Sequence, residues 1–249
     1  MATDSHRLVA ATAALCTVLL GSAATGSARP TPAPHGVPVL MFHVIGEGSG
    51  ARLRELYVSP PTFRAQVDWL ATNGYHAVTL DAVYRHWVSG APLPRKPVVL
   101  SFDDGYAGDV DIAMPTLRAH GWSGVLNLQA QNIVPARVRL LIAAGWEIDS
   151  HTFTHPDLTH VGAAQLTREI SSSRTWIRRM YHVPANFFCY PSGRYNSAVV
   201  AAVRRAGYLG ATTTNEGFAS ADNGLFTLNR VRVNGSDGVA GLARKLRSG

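Results

Sequence analysis

The chain has 249 residues, of which 46% are hydrophobic, and its formal net charge at pH 7 is +7. This length is enough for one large domain with a full hydrophobic core. No nucleic-acid-binding motif accompanies the basic charge, so we exclude a nucleic acid as partner and expect attraction to polyanionic surfaces such as a cell wall.

The N-terminus has the organisation of a secretory signal peptide. Arg7 precedes an uncharged run, residues 8–21, that is shorter than the ~20 residues of a membrane span. Small residues at 26–28 then offer a cleavage site. We therefore predict a secreted or cell-wall-associated monomer without a transmembrane anchor. The predicted organisation is a signal peptide at 1–28, a proline-rich lead-in at 29–36 and one domain at 37–249.

The two cysteines add a constraint on this interpretation. A lipid anchor on Cys16 is the alternative to cleavage, and Leu15 before it fits a lipoprotein site poorly. Cleavage after residue 28 leaves Cys189 alone in the mature chain, which excludes an internal disulfide even in an oxidising compartment.

Short apolar runs alternate with stretches of helical character from residue 37 to the end. The runs that read as buried strands are 37–45, 76–80, 97–102, 123–129, 146–151, 186–191 and 210–214. Ser59 and Pro60 predict the cap and first turn of a helix that Gly74 closes, and 162–181 has a helical apolar stripe. Such alternation without a glycine-rich dinucleotide loop predicts an α/β fold, a parallel (β/α)7-8 barrel rather than an open sheet.

In parallel barrels the chemistry lies at the C-terminal ends of the strands. The run 97–102 leads directly into Asp103 and Asp104, two like charges that repel unless a cation or a shared proton compensates them. The alternative is a simple turn, because Asp-Gly is a common hairpin signal.

The run 146–151 leads into S-H-T-F-T-H, which places His151 and His155 four residues apart. Two such histidines share a face if the segment turns helically, and Pro156 limits that helix to a single turn. Two imidazoles and one carboxylate leave room for water, as catalytic zinc sites do. A surface turn is the alternative for the histidine pair alone.

Three motifs in order, S-F-D-D-G-Y, S-H-T-F-T-H-P-D-L and F-C-Y-P-S-G-R-Y-N, resemble those of carbohydrate esterase family 4, the polysaccharide deacetylases with a NodB-homology domain. The resemblance implies a distorted (β/α) barrel and a metal-dependent hydrolase that removes N-acetyl groups from an N-acetylglucosamine-containing polysaccharide. The early Met-Phe-His looks similar to the poly-N-acetylglucosamine subgroup. The alternatives are a catalytically silent glycan-binding barrel and an O-acetyl esterase acting on xylan.

The resemblance also implies roles for individual residues. Asp103 would act as general base, and the backbone N–H of Ser192 would stabilise the oxyanion. A divalent cation is implied, zinc with cobalt or nickel as alternatives, because Asp-His-His accepts all three. The implied metal ligands are Asp104, His151 and His155. The implied polysaccharide contacts are Tyr190, Pro191 and Tyr195.

The chain departs from the family pattern at two positions. Cys189 stands where an Arg usually braces the catalytic Asp, and Arg230 stands where a late histidine usually acts as general acid. We predict that His43, at the end of the first run, supplies this acid and that Arg230 pairs with Asp103. The alternatives are that the His43 imidazole has its hydrogen-bond partners within the core and that the Arg230 side chain is solvated.

Overall fold

The computed structural model describes residues 36–48 and 51–248, together with Met1. Apart from Met1, the predicted signal peptide lies outside the described residues, as does the predicted lead-in apart from Gly36. The chain divides into two units, Met1–Thr31 and Pro32–Gly249, and every described helix and strand belongs to the second. Within the part that the structure describes, no helix has both the length and the apolar character needed to cross a bilayer.

The secondary structure alternates between strands and helices. The strands are β1 (Val39–Phe42), β2 (Val44–Ile45), β3 (Tyr57–Val58), β4 (His76–Ala77), β5 (Pro97–Asp104), β6 (Val125–Leu128), β7 (Glu147–Ser150), β8 (Phe187–Cys189), β9 (Gly210–Glu216) and β10 (Leu228–Arg232). The α-helices are α1 (Pro60–Thr72), α2 (Leu80–Ser89), α3 (Met114–Ala119), α4 (Pro135–Ala143), α5 (Ala163–Thr167), α6 (Ser173–Tyr181), α7 (Ser197–Arg205) and α8 (Gly238–Arg247). Short 3-10 turns cover Ala51–Leu56, Ala130–Asn132, Leu158–His160, Pro191–Gly193 and Ala221–Asn223, and π-turns cover Asp109–Ala113 and Arg168–Ser172.

Within the described residues, seven parallel strands, β1 and β5 to β10, form a closed barrel surrounded by helices. The ring closes at β1, where Leu40 is in register with Leu100 of β5 on one side and Val231 of β10 on the other. The barrel predicted from the alternating runs is therefore confirmed.

The strand assignment differs from the prediction at the run 76–80 and at the strand that completes the ring. The run 76–80 forms only the two-residue β4, which pairs beside the start of β5 outside the closed ring. Thr79 ends this run as the N-cap of α2, because its side chain accepts a hydrogen bond from the N–H of Ala82. The strand that completes the ring is β10, which follows the last predicted run.

The layer between barrel and helices is built on aromatic packing. The Ser59 side chain caps α1 through the N–H of Thr62, as the Ser-Pro signal predicts. The helix then buries Phe63 against Phe42 and Phe102, with ring centroids 5.3 Å and 5.9 Å away. Truncating Phe63 to Ala would cost about 3–5 kcal/mol by the usual cavity argument, so this contact fixes the helix on the barrel.

Candidate active site

Strand β5 delivers two adjacent carboxylates to the barrel mouth in different settings. Asp103 is 2% exposed and turns into the barrel, whereas the side chain of Asp104 is 19% exposed. The separation is produced by the backbone, since Asp104 has φ +78° and Gly105 has φ +92°. A left-handed aspartate costs about 1–3 kcal/mol, and such strain is commonly retained at functional sites.

Asp103 is held by a network of donors inside the barrel. Its Oδ1 accepts hydrogen bonds from Arg230 Nη1 and Asn127 Nδ2, both at 2.8 Å, and its Oδ2 accepts from Arg230 Nη2 at 2.9 Å. Burial alone would raise the pKa of Asp103, but the guanidinium and its two hydrogen bonds hold that pKa well below the usual range. Asp103 is therefore ionised at neutral pH.

Arg230 is almost fully enclosed, at 1% exposure, and each of its N–H groups has an acceptor. Besides Asp103, Nε donates to the Thr213 carbonyl at 2.8 Å, Nη1 to Ser101 Oγ at 3.3 Å and Nη2 to Cys189 Sγ at 3.2 Å. The cation that braces Asp103 thus comes from β10. The small side chain of Cys189 lies beside it as a thiol, because burial raises the pKa of that group.

Asp104, His151 and His155 form a second cluster at the mouth. Asp104 Oδ1 lies 3.6 Å from His151 Nε2 and 3.9 Å from His155 Nε2, and one donor atom from each residue falls within 4.8 Å of the others. The His151 Nδ1 lies 2.8 Å from the Cys189 carbonyl oxygen. Because a carbonyl only accepts, Nδ1 carries the proton and the Nε2 lone pair points to the cluster. This donor set fits a divalent cation.

The loop after β7 is shaped by a buried glutamate. Glu169 Oε2 accepts hydrogen bonds from the N–H groups of Phe153 at 2.8 Å and Thr154 at 2.9 Å, and Oε1 accepts from Thr154 Oγ1 at 2.8 Å. The single helical turn predicted across the two histidines is wrong: residues 151–157 are irregular. His155 has φ +57°, so the histidines converge through a left-handed kink.

His43 lies between β1 and β2, at a break in the run that was predicted to be one strand. Its Nε2 is 3.8 Å from Asp103 Oδ2, and its side chain is 18% exposed. Burial lowers the pKa of His43 more than the Asp103 charge raises it, so the imidazole is neutral at pH 7. The structure thus brings His43 and Arg230 to the same carboxylate.

The third motif follows β8 in a tight turn. Ser192 is exposed with φ +53°, and Gly193 follows with φ +68°. A Cβ on Gly193 would lie 2.0 Å from Thr214 Oγ1, so only glycine fits there. The turn places the exposed residue Ser192 shortly after the C-terminal end of β8.

The three residues of this motif that were predicted to contact polysaccharide differ in their exposure to solvent. Tyr190 is 0% exposed and its hydroxyl donates to the Phe226 carbonyl at 3.1 Å, and Pro191 is also buried. Both are packing residues rather than contacts for a polysaccharide, which corrects the prediction. Tyr195 is half-buried and stacks on Tyr190 with centroids 5.0 Å apart, so it alone of the three presents a ring to solvent.

Two supporting residues were missed from the sequence. Asn127 is the polar interruption of an otherwise apolar strand run, and its register partner in the barrel is Asp103. Glu169 adjoins Ile170 on the helical stripe and is only 1% exposed. A charged or amide side chain at a core position is the signal that could have identified both.

Comparison with known proteins adds independent observations. A family model described as polysaccharide deacetylase matches residues 90–211. The chain is 31% identical over 219 residues to “Putative polysaccharide deacetylase YxkH” of Bacillus subtilis (strain 168), covering 86% of this chain and 76% of that protein. It is also 37% identical over 95 residues to the poly-beta-1,6-N-acetyl-D-glucosamine N-deacetylase of Escherichia coli (strain K12), covering 38% of this chain and 14% of that protein.

A solved structure has the same fold. The deacetylase PplD of Streptococcus pyogenes, determined in complex with acetate, superposes with a TM-score of 0.79 at 28% identity. The match covers 85% of this chain and 98% of that chain. The closed barrel is thus shared over nearly its whole length.

Proposed function

Because the chain belongs to the polysaccharide deacetylase family, we propose that it is a secreted, metal-dependent N-deacetylase of N-acetylglucosamine-containing polysaccharide. One observation carries the proposal: two adjacent carboxylates have separate surroundings, one saturated by an arginine and one facing two imidazoles. An ionised base beside a cation site is the arrangement that metal-assisted hydrolysis requires.

Asp104, His151 and His155 would hold the cation, for which zinc, cobalt and nickel are all suitable. A divalent cation bound there supplies Lewis-acid polarisation of a carbonyl oxygen and activation of water. Fixing the His151 tautomer through the Cys189 carbonyl keeps Nε2 available as a ligand atom.

The proton steps fall to Asp103 and His43. Asp103 is ionised and would take the proton of the attacking water. His43 Nε2 lies 3.8 Å from Asp103 Oδ2, so it would receive that proton through one bridging water. Since burial lowers the pKa of His43, its protonated form gives the proton up readily. The leaving amine needs that proton, and the backbone N–H of Ser192 would stabilise the oxyanion.

The substrate assignment rests on chemistry and on similarity. The E. coli relative is named for poly-beta-1,6-N-acetyl-D-glucosamine, and this chain is 37% identical to it over 95 aligned residues. The half-buried ring of Tyr195 offers a sugar-stacking surface on the third-motif side of the mouth. The basic net charge of +7 is compatible with residence at an anionic cell wall.

Acetate release from β-1,6-linked N-acetylglucosamine oligomers tests this function. Chelated enzyme should be inactive and should recover on addition of Zn²⁺, Co²⁺ or Ni²⁺, and acetylated xylan should be the poorer substrate. Equal activity before and after chelation would contradict metal dependence. Oligomer binding without acetate release under every condition would favour the catalytically silent alternative.

Secretion is tested separately by sequencing the N-terminus of the exported protein. We expect it between Ala24 and Pro32, with no attached lipid. Lipid on Cys16 would replace the cleavage prediction with a membrane anchor.

A further inference from the structure

A groove along the outer face of α6 takes no part in the chemistry proposed above. Its volume is about 600 Å³, within the range of ligand-binding pockets. Its lining includes two aromatic rings, three hydroxyl side chains and a guanidinium, from Phe153, Trp176, Ser171, Ser172, Thr175 and Arg179.

The groove shares a loop with the candidate active site. Phe153 lies between His151 and His155 in the loop that carries both histidines. The N–H of Phe153 donates to Glu169 Oε2 at 2.8 Å, and Glu169 precedes the groove residue Ser171 by two positions. The groove wall and the candidate metal ligands His151 and His155 therefore belong to one hydrogen-bonded loop.

The lining matches the surface of a sugar. A pyranose ring has an apolar face of C–H groups and a rim of hydroxyl groups. The rings of Phe153 and Trp176, with centroids 6.0 Å apart and planes at 61°, supply the apolar contact. Ser172 and Thr175 are exposed and supply hydroxyl groups for the rim; the Thr175 hydroxyl donates to the Ser171 carbonyl at 3.0 Å and therefore offers its oxygen as an acceptor.

The charge of the groove distinguishes acetylated from deacetylated sugars. Arg179 is part of the lining, and the guanidinium of Arg168 lies 5.9 Å from the centre of the Phe153 ring. Among the described residues, the lining includes no carboxylate. An N-acetylated unit is neutral and is accommodated beside these cations, whereas a deacetylated unit carries an ammonium group that they repel.

We propose that this groove is a subsite for N-acetylated sugar units of the glycan, remote from the acetyl group that is removed. The proposal rests on the proposed function, because it takes the same polymer as occupant. It predicts that affinity grows with oligomer length and falls when the remote units are already deacetylated.

Steady-state kinetics on a β-1,6-linked N-acetylglucosamine hexamer and dimer test the subsite. Trp176→Ala should raise KM for the hexamer by about tenfold, the effect of one lost aromatic stacking contact, with kcat unchanged. KM for the dimer should not change, and Trp176→Phe should recover most of the hexamer affinity. Trp87→Ala is the matched control, because Trp87 is also half-buried against the core but lies on α2.

A charge variant provides a second test of the subsite if Trp176→Ala fails to fold. Arg179 is exposed, so Arg179→Glu should fold normally and should bind a hexamer with deacetylated remote units more tightly than the wild type does. Unchanged preference between acetylated and deacetylated hexamers would contradict the charge argument.

The outcomes separate the subsite from the proposed function. Binding of the hexamer to Asp103→Asn enzyme can be measured by calorimetry, because it needs no turnover. If this binding depends on Trp176 while the wild type releases no acetate, the subsite is supported and the proposed function is contradicted. Acetate release with the same hexamer KM in wild type and Trp176→Ala overturns the subsite alone. Equal KM increases on dimer and hexamer also overturn it, since they indicate a structural effect.

Discussion

Buried carboxyl groups occur on two strands of the barrel, β5 and β7, and their surroundings differ. At the mouth, Asp103 accepts three hydrogen bonds from Arg230 and Asn127. Strand β7 carries a second pair of carboxyl groups: Glu147 Oε2 accepts from the Asp81 N–H at 3.0 Å, and Asp149 Oδ1 accepts from the Phe187 N–H at 2.8 Å. The remaining oxygens, Glu147 Oε1 and Asp149 Oδ2, have no hydrogen-bond partner among the described residues.

The two regions consequently hold their protons differently. Arg230 offsets the burial of Asp103 and keeps it ionised. On β7, burial raises the pKa of Asp149 well above its usual range, and the nearby Glu147 raises it further, so this pair retains a proton to a higher pH than Asp103 does. The mouth is thus ionised because β10 delivers a guanidinium to it.

The largest effect should follow from removing that guanidinium. Arg230→Met leaves Asp103 buried without its cation, which should cost about 3–5 kcal/mol in the free energy of unfolding. Urea unfolding at pH 7 measures this cost. Arg232→Met, two residues along the same strand and half-buried, is the matched control.

A second substitution shows whether the uncompensated charge is the cause. Asp103→Asn in the Arg230→Met background removes that charge and should restore much of the lost stability. If the double variant is no more stable than Arg230→Met, the arginine acts through packing and the contrast between the two regions loses its electrostatic basis.

A smaller effect, on rate rather than stability, should follow from replacing the neutral histidine beside Asp103. His43→Gln should lower kcat on N-acetyl substrates by ~10²-fold through loss of the proton donor, while bound metal persists. An activated acetyl ester, whose leaving group needs no proton, should lose much less activity. Equal losses on amide and ester would assign His43 a structural or sugar-positioning role.

The smallest effect concerns the carboxyl pair on β7 and changes with pH. The pKa of Asp149 is raised in the folded protein, so stability is lost as pH rises from the unfolded pKa through the folded one. Asp149→Asn keeps the acceptor for the Phe187 N–H and removes the titration. It should therefore be about 1–3 kcal/mol more stable than the parent at pH 8, with the difference vanishing near pH 4.

Thermal or urea unfolding between pH 4 and pH 9 measures that trend. Asp111→Asn, at an exposed carboxyl, should follow the parent within about 0.5 kcal/mol. A stability difference for Asp149→Asn that does not change with pH would show that the pair does not retain its proton in the folded state.

The sequence predicted the parts of the site that depend on strand order. Parallel strands end at one mouth, so residues at the ends of apolar runs, such as Asp103 and His151, had to lie close together. The loop conformation was not predictable, because His155 converges through a left-handed kink stabilised by Glu169 from a later helix. Burial of Tyr190 was equally hidden, since it depends on packing beneath Tyr195.

Metal content of two neighbouring variants is the sharpest check on the division of roles between the carboxylates of β5. Asp104 is assigned to the cation and Asp103 to the proton, so Asp104→Asn should lose bound metal, as His151→Ala and His155→Ala should. Asp103→Asn should retain the metal while turnover falls by ~10²-fold or more. Equal metal loss in Asp103→Asn and Asp104→Asn, measured by elemental analysis of the purified proteins, would contradict the separation of roles.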